Sequence, residues 1–68
     1  MDKTLYIEGM NCNHCKMRVE KALNKLDGVT AEVDLDNKLA KVTLSKEYDD
    51  KALINAVEDV GYDVVDIK

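Results

Sequence analysis

Hydrophobic and polar residues alternate in four short segments of the chain, and this period of two is typical of strands with one buried face. In the first segment, Leu5 and Ile7 would share the buried face. The second and third segments are separated by Asp36-Asn37-Lys38, a sequence that favours a hairpin turn. The predicted strands cover residues 3–8, 29–35, 39–45 and 62–67.

Two further segments have the 3.6-residue period of amphipathic helices instead. In the first of them, the apolar face begins at Cys15 and continues as far as Leu26. The side chain of Asn11 or Asn13 could cap the start of this helix, because a short polar side chain can accept a hydrogen bond from a free helix N–H. Asp27-Gly28 is expected to end it, since glycine commonly follows the last turn of a helix.

The second helical segment lies between the third and fourth strands. Asp49 or Asp50 could cap it, it runs to about Val60, and Gly61 follows its end. The order of elements is therefore β-α-β-β-α-β. Two right-handed β-α-β crossovers that share one hairpin predict an α+β, ferredoxin-like fold, with a four-stranded antiparallel sheet and both helices on one face. Nothing in the sequence divides it, so we expect a single domain over residues 1–68.

Length and composition narrow the possible functions. With 68 residues, 46% of them hydrophobic and 35% charged, the chain is expected to form a small globular domain with little room for a substrate pocket. It has no catalytic triad or phosphate loop, so we do not expect an enzyme. A net charge of −4 and few aromatic residues argue against nucleic-acid binding. Without a signal peptide or an apolar run near 18 residues, the sequence predicts the cytoplasm and no membrane insertion.

Two cysteines, Cys12 and Cys15, carry most of the candidate chemistry. They fall at the junction of the first loop and first helix, where free helix N–H groups favour the thiolate that binds metals or attacks disulfides. In a reducing cytosol the pair is either a metal site or a thiol–disulfide redox site. Thioredoxin-like redox domains are longer and carry a proline opposite their cysteines, whereas this chain has no proline, so the metal site is favoured.

The number of candidate ligands indicates which metal would bind. A structural zinc site needs four ligands, but here only two thiolates and at most one imidazole are available. Cu(I) is a soft ion that two or three sulfur ligands can satisfy. A shallow site with open coordination positions can also pass its metal on by ligand exchange, so the residues predict a metal carrier.

The sequence around the cysteines resembles the GMxCxxC signature of heavy-metal-associated domains, and among these most resembles the bacterial copper chaperones of the CopZ type. The resemblance extends over most of the chain, from Leu5 to Val64. The residues that carry it are Gly9-Met10-Asn11-Cys12-Asn13-His14-Cys15, Val19-Glu20, Gly28-Val29 and Gly61-Tyr62.

This resemblance implies that Cys12 and Cys15 bind Cu(I), or Ag(I) in its place, and deliver it to the metal-binding domains of a copper-transporting P-type ATPase. Relatives that prefer zinc or cadmium often carry Asp where this chain has Asn11, which favours copper here. Two alternatives stay open: an amino-terminal metal-binding domain of such an ATPase, and a thiol–disulfide redox protein. Met1 and the ending at Lys68 favour a free-standing chaperone. Exposure of Cys12 would also permit a copper-bridged homodimer.

Three further residues are candidates for a supporting role at the metal. His14 could lower the pKa of the Cys15 thiol, serve as a ligand, or do neither. Met10 could offer its thioether, although we favour it as a flexible filler of the core. Tyr62 is expected in a loop beside the cysteines, where the resemblance implies that it covers the metal or donates a hydrogen bond to a thiolate.

The predicted first helix is basic although the chain as a whole is acidic. Its surface carries Lys16, Arg18, Lys21 and Lys25, against the single acid Glu20. Such a run is usually a solvated helix face. Because this one adjoins the cysteines, we expect it to steer an acidic partner domain toward the site.

Overall fold

Strands and helices follow one another in the order that the hydrophobic pattern predicts. The computed structural model describes residues 2–68, and Met1 lies outside the described residues. The elements are β1 (Asp2–Glu8), α1 (Asn13–Asn24), β2 (Val29–Asp34), β3 (Leu39–Leu44), α2 (Asp50–Glu58) and β4 (Asp63–Ile67). The four strands form one antiparallel sheet in the order β2-β3-β1-β4, so the ferredoxin-like prediction is confirmed.

One face of the sheet and the apolar faces of both helices form a single hydrophobic core. Strand alternation turns every second residue of β1, β2 and β3 toward this core, and each helix adds its apolar stripe. Burying one valine, leucine or isoleucine side chain in this core stabilises the fold by about 1.5–3 kcal/mol. The core residues are Leu5, Ile7, Met10, Val19, Leu23, Val29, Ala31, Val33, Ala40, Val42, Leu44, Leu53, Val57 and Tyr62.

Strand β4 contains an irregularity that the sequence pattern does not reveal. Ile7 of β1 pairs with Val64, whereas Leu5, two residues earlier, pairs with Ile67, so β4 has one extra residue over this stretch. A bulge of this kind reverses the facing of the residues that follow it. As a result Val64 and Ile67 both pack against the core, while Val65 is 60% exposed.

The helices begin and end differently from the prediction in detail. Cys12, with extended backbone angles, occupies the N-cap position of α1, so capping by Asn11 or Asn13 was wrong. Helix α1 also ends at Asn24, before Gly28, which turns the chain into β2 with φ +77°. Asp49 is the N-cap residue of α2, as expected, but its side chain makes no capping hydrogen bond. Within residues 2–68, no helix is long and apolar enough to cross a membrane.

The two ends of the described chain lie together, away from the cysteines. Backbone hydrogen bonds of 2.8 Å run both ways between Thr4 and Lys68, so the last residue lies beside the start of β1. The loop that carries Cys12 follows the opposite end of β1. The cysteine loop therefore forms one tip of the molecule, and the chain ends lie toward the other.

Candidate metal centre

Cys12 and Cys15 lie at the start of α1, where the sequence predicted them. Cys12 is the exposed N-cap residue, and Cys15 lies half-buried in the first turn. Their Sγ atoms are 3.1 Å apart, a hydrogen-bonding separation and well beyond the roughly 2.05 Å of a disulfide bond. The two sulfurs are therefore close enough to contact a single metal ion. The helix N–H groups beside them favour negative charge.

Tyr62 reaches the cysteines from the loop between α2 and β4. Its side chain is buried, and its hydroxyl donates a hydrogen bond to the sulfur of Cys15. The phenol ring passes close to Gly9, where a Cβ atom would lie 3.5 Å from Tyr62 Cδ1. Gly9 also has φ +94°, a left-handed backbone angle that favours glycine. Two glycine-containing loops thus bring the Tyr62 phenol beside the Cys15 thiol.

Hydrogen bonds to its sulfur lower the pKa of the Cys15 thiol from 9.0 to about 7. The largest contribution comes from the Tyr62 hydroxyl, followed by the side chain of Cys12 and the backbone N–H of Asn11, while partial burial opposes them. The same hydrogen bond raises the pKa of Tyr62, because the phenol is the donor and must keep its proton. The Cys15 thiol consequently ionises at a lower pH than an ordinary cysteine.

The other candidate residues occupy different surroundings. Met10 is only 1% exposed and belongs to the hydrophobic core beneath the loop. His14 lies exposed in the first turn of α1, and its roles as tuner or ligand stay predictions. Among residues 2–68, no group of three or more His, Cys, Asp or Glu side chains could hold a metal ion. The candidate ligands that the structure brings together are the two thiols.

Sequence reasoning missed two contributors to the site. Asn11 attracted attention through its side chain, yet its backbone N–H is what bonds to Cys15. Arg18, one turn after Cys15, was assigned only to the basic helix face, but its guanidinium also interacts with the Tyr62 hydroxyl. The three-residue spacing from Cys15 to Arg18 was the available signal, because residues that far apart lie on one face of a helix.

We expect Tyr62→Phe to raise the pKa of Cys15 from about 7 toward 9, because the strongest stabiliser of its thiolate is removed. Alkylation of Cys15, followed against pH in metal-free Cys12→Ser protein, would report its midpoint. Because the side chain of Cys12 also lowers the pKa of Cys15, Tyr62→Phe is compared with Cys12→Ser alone and not with the value of about 7. At neutral pH the Phe variant should react several-fold more slowly. Tyr6→Phe, on the sheet, is the matched control. An unchanged midpoint in Tyr62→Phe would contradict the assigned hydrogen bond.

Comparison with known proteins identifies the family. The model of the heavy-metal-associated domain matches residues 4–63, and thus most of the chain. The chain belongs to this family. Copper chaperone CopZ of Staphylococcus aureus (strain bovine RF122 / ET3-1) is 51% identical to this heavy-metal-associated domain over 67 residues, covering 90% of the chain and 93% of CopZ.

Solved structures share the fold of this heavy-metal-associated domain. A CopZ metallochaperone superposes with a TM-score of 0.89 at 43% identity, over 96% of this chain and 100% of the other. A copper-binding domain from HMA7, a P-type ATPase, gives a TM-score of 0.84 at 28% identity, over 100% and 92% respectively. The family and fold predicted from the sequence are confirmed.

Proposed function

We propose that this heavy-metal-associated domain is a cytoplasmic copper chaperone. It binds Cu(I) between Cys12 and Cys15 and delivers it by ligand exchange to a metal-binding domain of a copper-transporting P-type ATPase. The observation that carries the proposal is the pair of thiols 3.1 Å apart at an exposed helix N-terminus. Its similarity to proteins named copper chaperone supports a carrier, rather than an enzyme, as the function.

The two thiols suit a soft monovalent ion. Thiolate ligands select Cu(I), and Ag(I) has the same preference. Zinc commonly takes four protein ligands in a structural site, or three with an open position in a catalytic one. Cys12 and Cys15 supply two, and Tyr62 covers the inner side of the pair without adding a charged ligand. The arrangement therefore favours Cu(I) as cargo.

The unequal exposure of the cysteines suits transfer of the ion. Cys15 is half-buried and held by Tyr62, whereas Cys12 is exposed at the tip of the molecule. A thiolate of a partner domain can approach from the side of Cys12, form a mixed-thiolate intermediate and displace that sulfur first. Thiolates of a second copy can reach the ion by the same route, which would give a copper-bridged homodimer.

The basic face of α1 indicates which charge the docking surface of a partner carries. Arg18, Lys21 and Lys25 are exposed along the helix that begins at the cysteines, on a chain with net charge −4. A positive patch on an acidic chain orients an approaching protein, because the patch attracts acidic groups while the rest of the surface repels them. We infer that the partner domain docks on this face with acidic side chains.

Copper transfer tests this proposal. We expect the Lys21→Glu/Lys25→Glu variant, loaded with Cu(I), to pass copper to an acidic heavy-metal-associated domain of a copper-transporting ATPase roughly tenfold more slowly at low salt. Stopped-flow measurement at several salt concentrations should also show a weaker salt dependence. The Lys51→Glu/Lys68→Glu variant makes the same change in net charge elsewhere and should transfer nearly normally. Equal copper-transfer rates for the two variants would contradict the proposed docking face.

A second candidate is an amino-terminal metal-binding domain of the ATPase itself. The structural similarity to the HMA7 copper-binding domain favours it, because a chaperone and its target domain share one fold. The chaperone is better supported, since CopZ is 51% identical and the chain covers 93% of its length. Reading the native gene beyond Lys68 would separate the two.

A further inference from the structure

A groove runs between α1 and α2 on the helical side of the molecule. It encloses about 510 Å³, which is room for several side chains of an occupant. Its floor is apolar, and the small side chains of three alanines leave it open between the two helices. The floor residues, all of them half-buried, are Ala22, Leu26, Ala52, Ala56 and Val60.

The two rims of the groove differ in charge. The α1 rim carries three exposed cations, Arg18, Lys21 and Lys25. Within the described part of the chain, neither lysine of this rim forms an ion pair. Across the groove, the α2 rim carries Asn55 and the acid Asp59. An apolar floor with unpaired cations along one side is complementary to an apolar segment that has acidic side chains along one flank.

One end of the groove lies beside the candidate metal centre. Arg18 of the α1 rim interacts with the Tyr62 hydroxyl, and Val60 of the floor lies two residues before Tyr62. From Arg18 to Lys25 a helix rises by about 10 Å, so the groove extends roughly two turns away from the cysteines. A protein whose thiolates reach Cys12 therefore lies over the end of the groove and can place a segment along it.

We propose that this groove receives an apolar segment of the copper-accepting partner domain, flanked by acidic side chains that meet Arg18, Lys21 and Lys25. The inference rests on the proposed function and adds an apolar anchor to the acidic docking proposed there. Apolar side chains that fill a pocket near the centre of an interface commonly contribute much of its affinity. Asp59 repels acids on the other flank, so the segment lies with its acidic side toward α1.

The floor and the α1 rim contribute to docking in ways that salt separates. The cations attract acidic groups over a distance, and dissolved salt screens this attraction. Burial of apolar surface on the floor is not screened in this way. A change confined to the floor should therefore weaken docking equally at low and high salt, whereas reversal of the rim charges weakens it mainly at low salt.

The test fills the groove without changing any charge. Ala56→Leu enlarges a floor side chain, and Thr43→Leu, on the outer face of the sheet, is the matched control. Copper transfer to an acidic heavy-metal-associated domain of a copper-transporting ATPase is followed by stopped flow at increasing acceptor concentrations. We expect Ala56→Leu to raise the half-saturating acceptor concentration roughly tenfold at every salt concentration. The transfer rate at saturation and the affinity for Cu(I) should be unchanged, and Thr43→Leu should match the parent.

An NMR titration of the parent with the same acceptor locates the contact independently of transfer. The amide signals of Ala22, Ala56 and Val60 should shift, while that of Thr43 stays in place. Copper transfer without these shifts overturns the groove and leaves the proposed function intact. Shifts without copper transfer overturn the proposed function alone. An unchanged half-saturating concentration in folded Ala56→Leu also overturns the groove, and Ala52→Leu, one turn earlier, replaces that variant if it does not fold.

The same titration distinguishes other occupants of the groove. If octanoate shifts the floor amides and the acceptor does not, the groove is a site for a small apolar anion and the proposal is overturned. If the floor amides shift as the concentration of this chain alone is raised, and adding the acceptor has no further effect, a second copy occupies the groove. That outcome also overturns the proposal.

Discussion

We expect the Cys15→Ser variant to lose Cu(I) in competition with a chromogenic chelator, under anaerobic conditions at neutral pH. In structural zinc sites four ligands share about 10–16 kcal/mol, so losing one thiolate should weaken binding at least about a hundredfold. Cys12→Ser should weaken it comparably, because residues 2–68 contain no group of three or more His, Cys, Asp or Glu side chains that could hold the ion instead. The unsubstituted chain should bind about one Cu(I), far more tightly than Zn(II) run in parallel.

His14→Ala is the matched control, since His14 lies between the two cysteines in sequence and is exposed. It should retain copper to within a few-fold, and a larger loss would make His14 a ligand. Copper binding that survives in Cys12→Ser/Cys15→Ser would refute the assigned site. Tight binding of zinc with weak binding of copper would mean that the preference for copper inferred from Asn11 was wrong. Binding of neither ion would favour the thiol–disulfide alternative.

The largest expected effect on stability comes from Leu53→Ala. Leu53 of α2 is fully buried in the core between helix and sheet, and truncation of such a leucine costs about 2–5 kcal/mol. A domain of this length is stabilised by roughly 3–10 kcal/mol in total. The urea midpoint should therefore fall by roughly half of the parent's value.

Met17→Ala is the corresponding control, because Met17 is 63% exposed on α1. Its free energy of unfolding should change by less than about 0.5 kcal/mol. No described hydrogen bond links Leu53 to either cysteine. The folded fraction of Leu53→Ala should therefore bind copper with unchanged stoichiometry. Equal midpoints for the two variants would contradict the core assignment.

The architecture could be predicted because it depends on repeated local patterns. The alternation around Leu5 and Ile7 and the stripe through Leu53 and Val57 each indicate an element and its buried face. The β4 bulge could not be predicted, because a single extra residue is defined only by pairing with β1. The predicted cap of α1 was wrong for a related reason. The backbone angles place Cys12 at the N-cap position, although Asn is usually preferred there.

The proximity of the two candidate ligands could be predicted from the sequence, but the electrostatics around them could not. Cys12 and Cys15 are close in sequence, so their spacing alone brings the sulfurs together. The hydrogen bond from Tyr62 joins residues far apart in the chain, and only the family resemblance suggested it. The hydrogen bond that the Val33 N–H donates to Glu20 could not be predicted, because in the sequence Glu20 is one of several charged residues on the helix.

The position of the chain ends affects how the protein can be attached to something else. Since Lys68 lies beside the start of β1 and the cysteines lie past its other end, a tether at either terminus leaves the cysteine loop pointing outward. Four strand steps separate Thr4, which bonds to Lys68, from Glu8 at the other end of β1, a distance of about 13 Å. Copies joined end to end, or anchored on a solid support through either terminus, should all keep their thiols accessible.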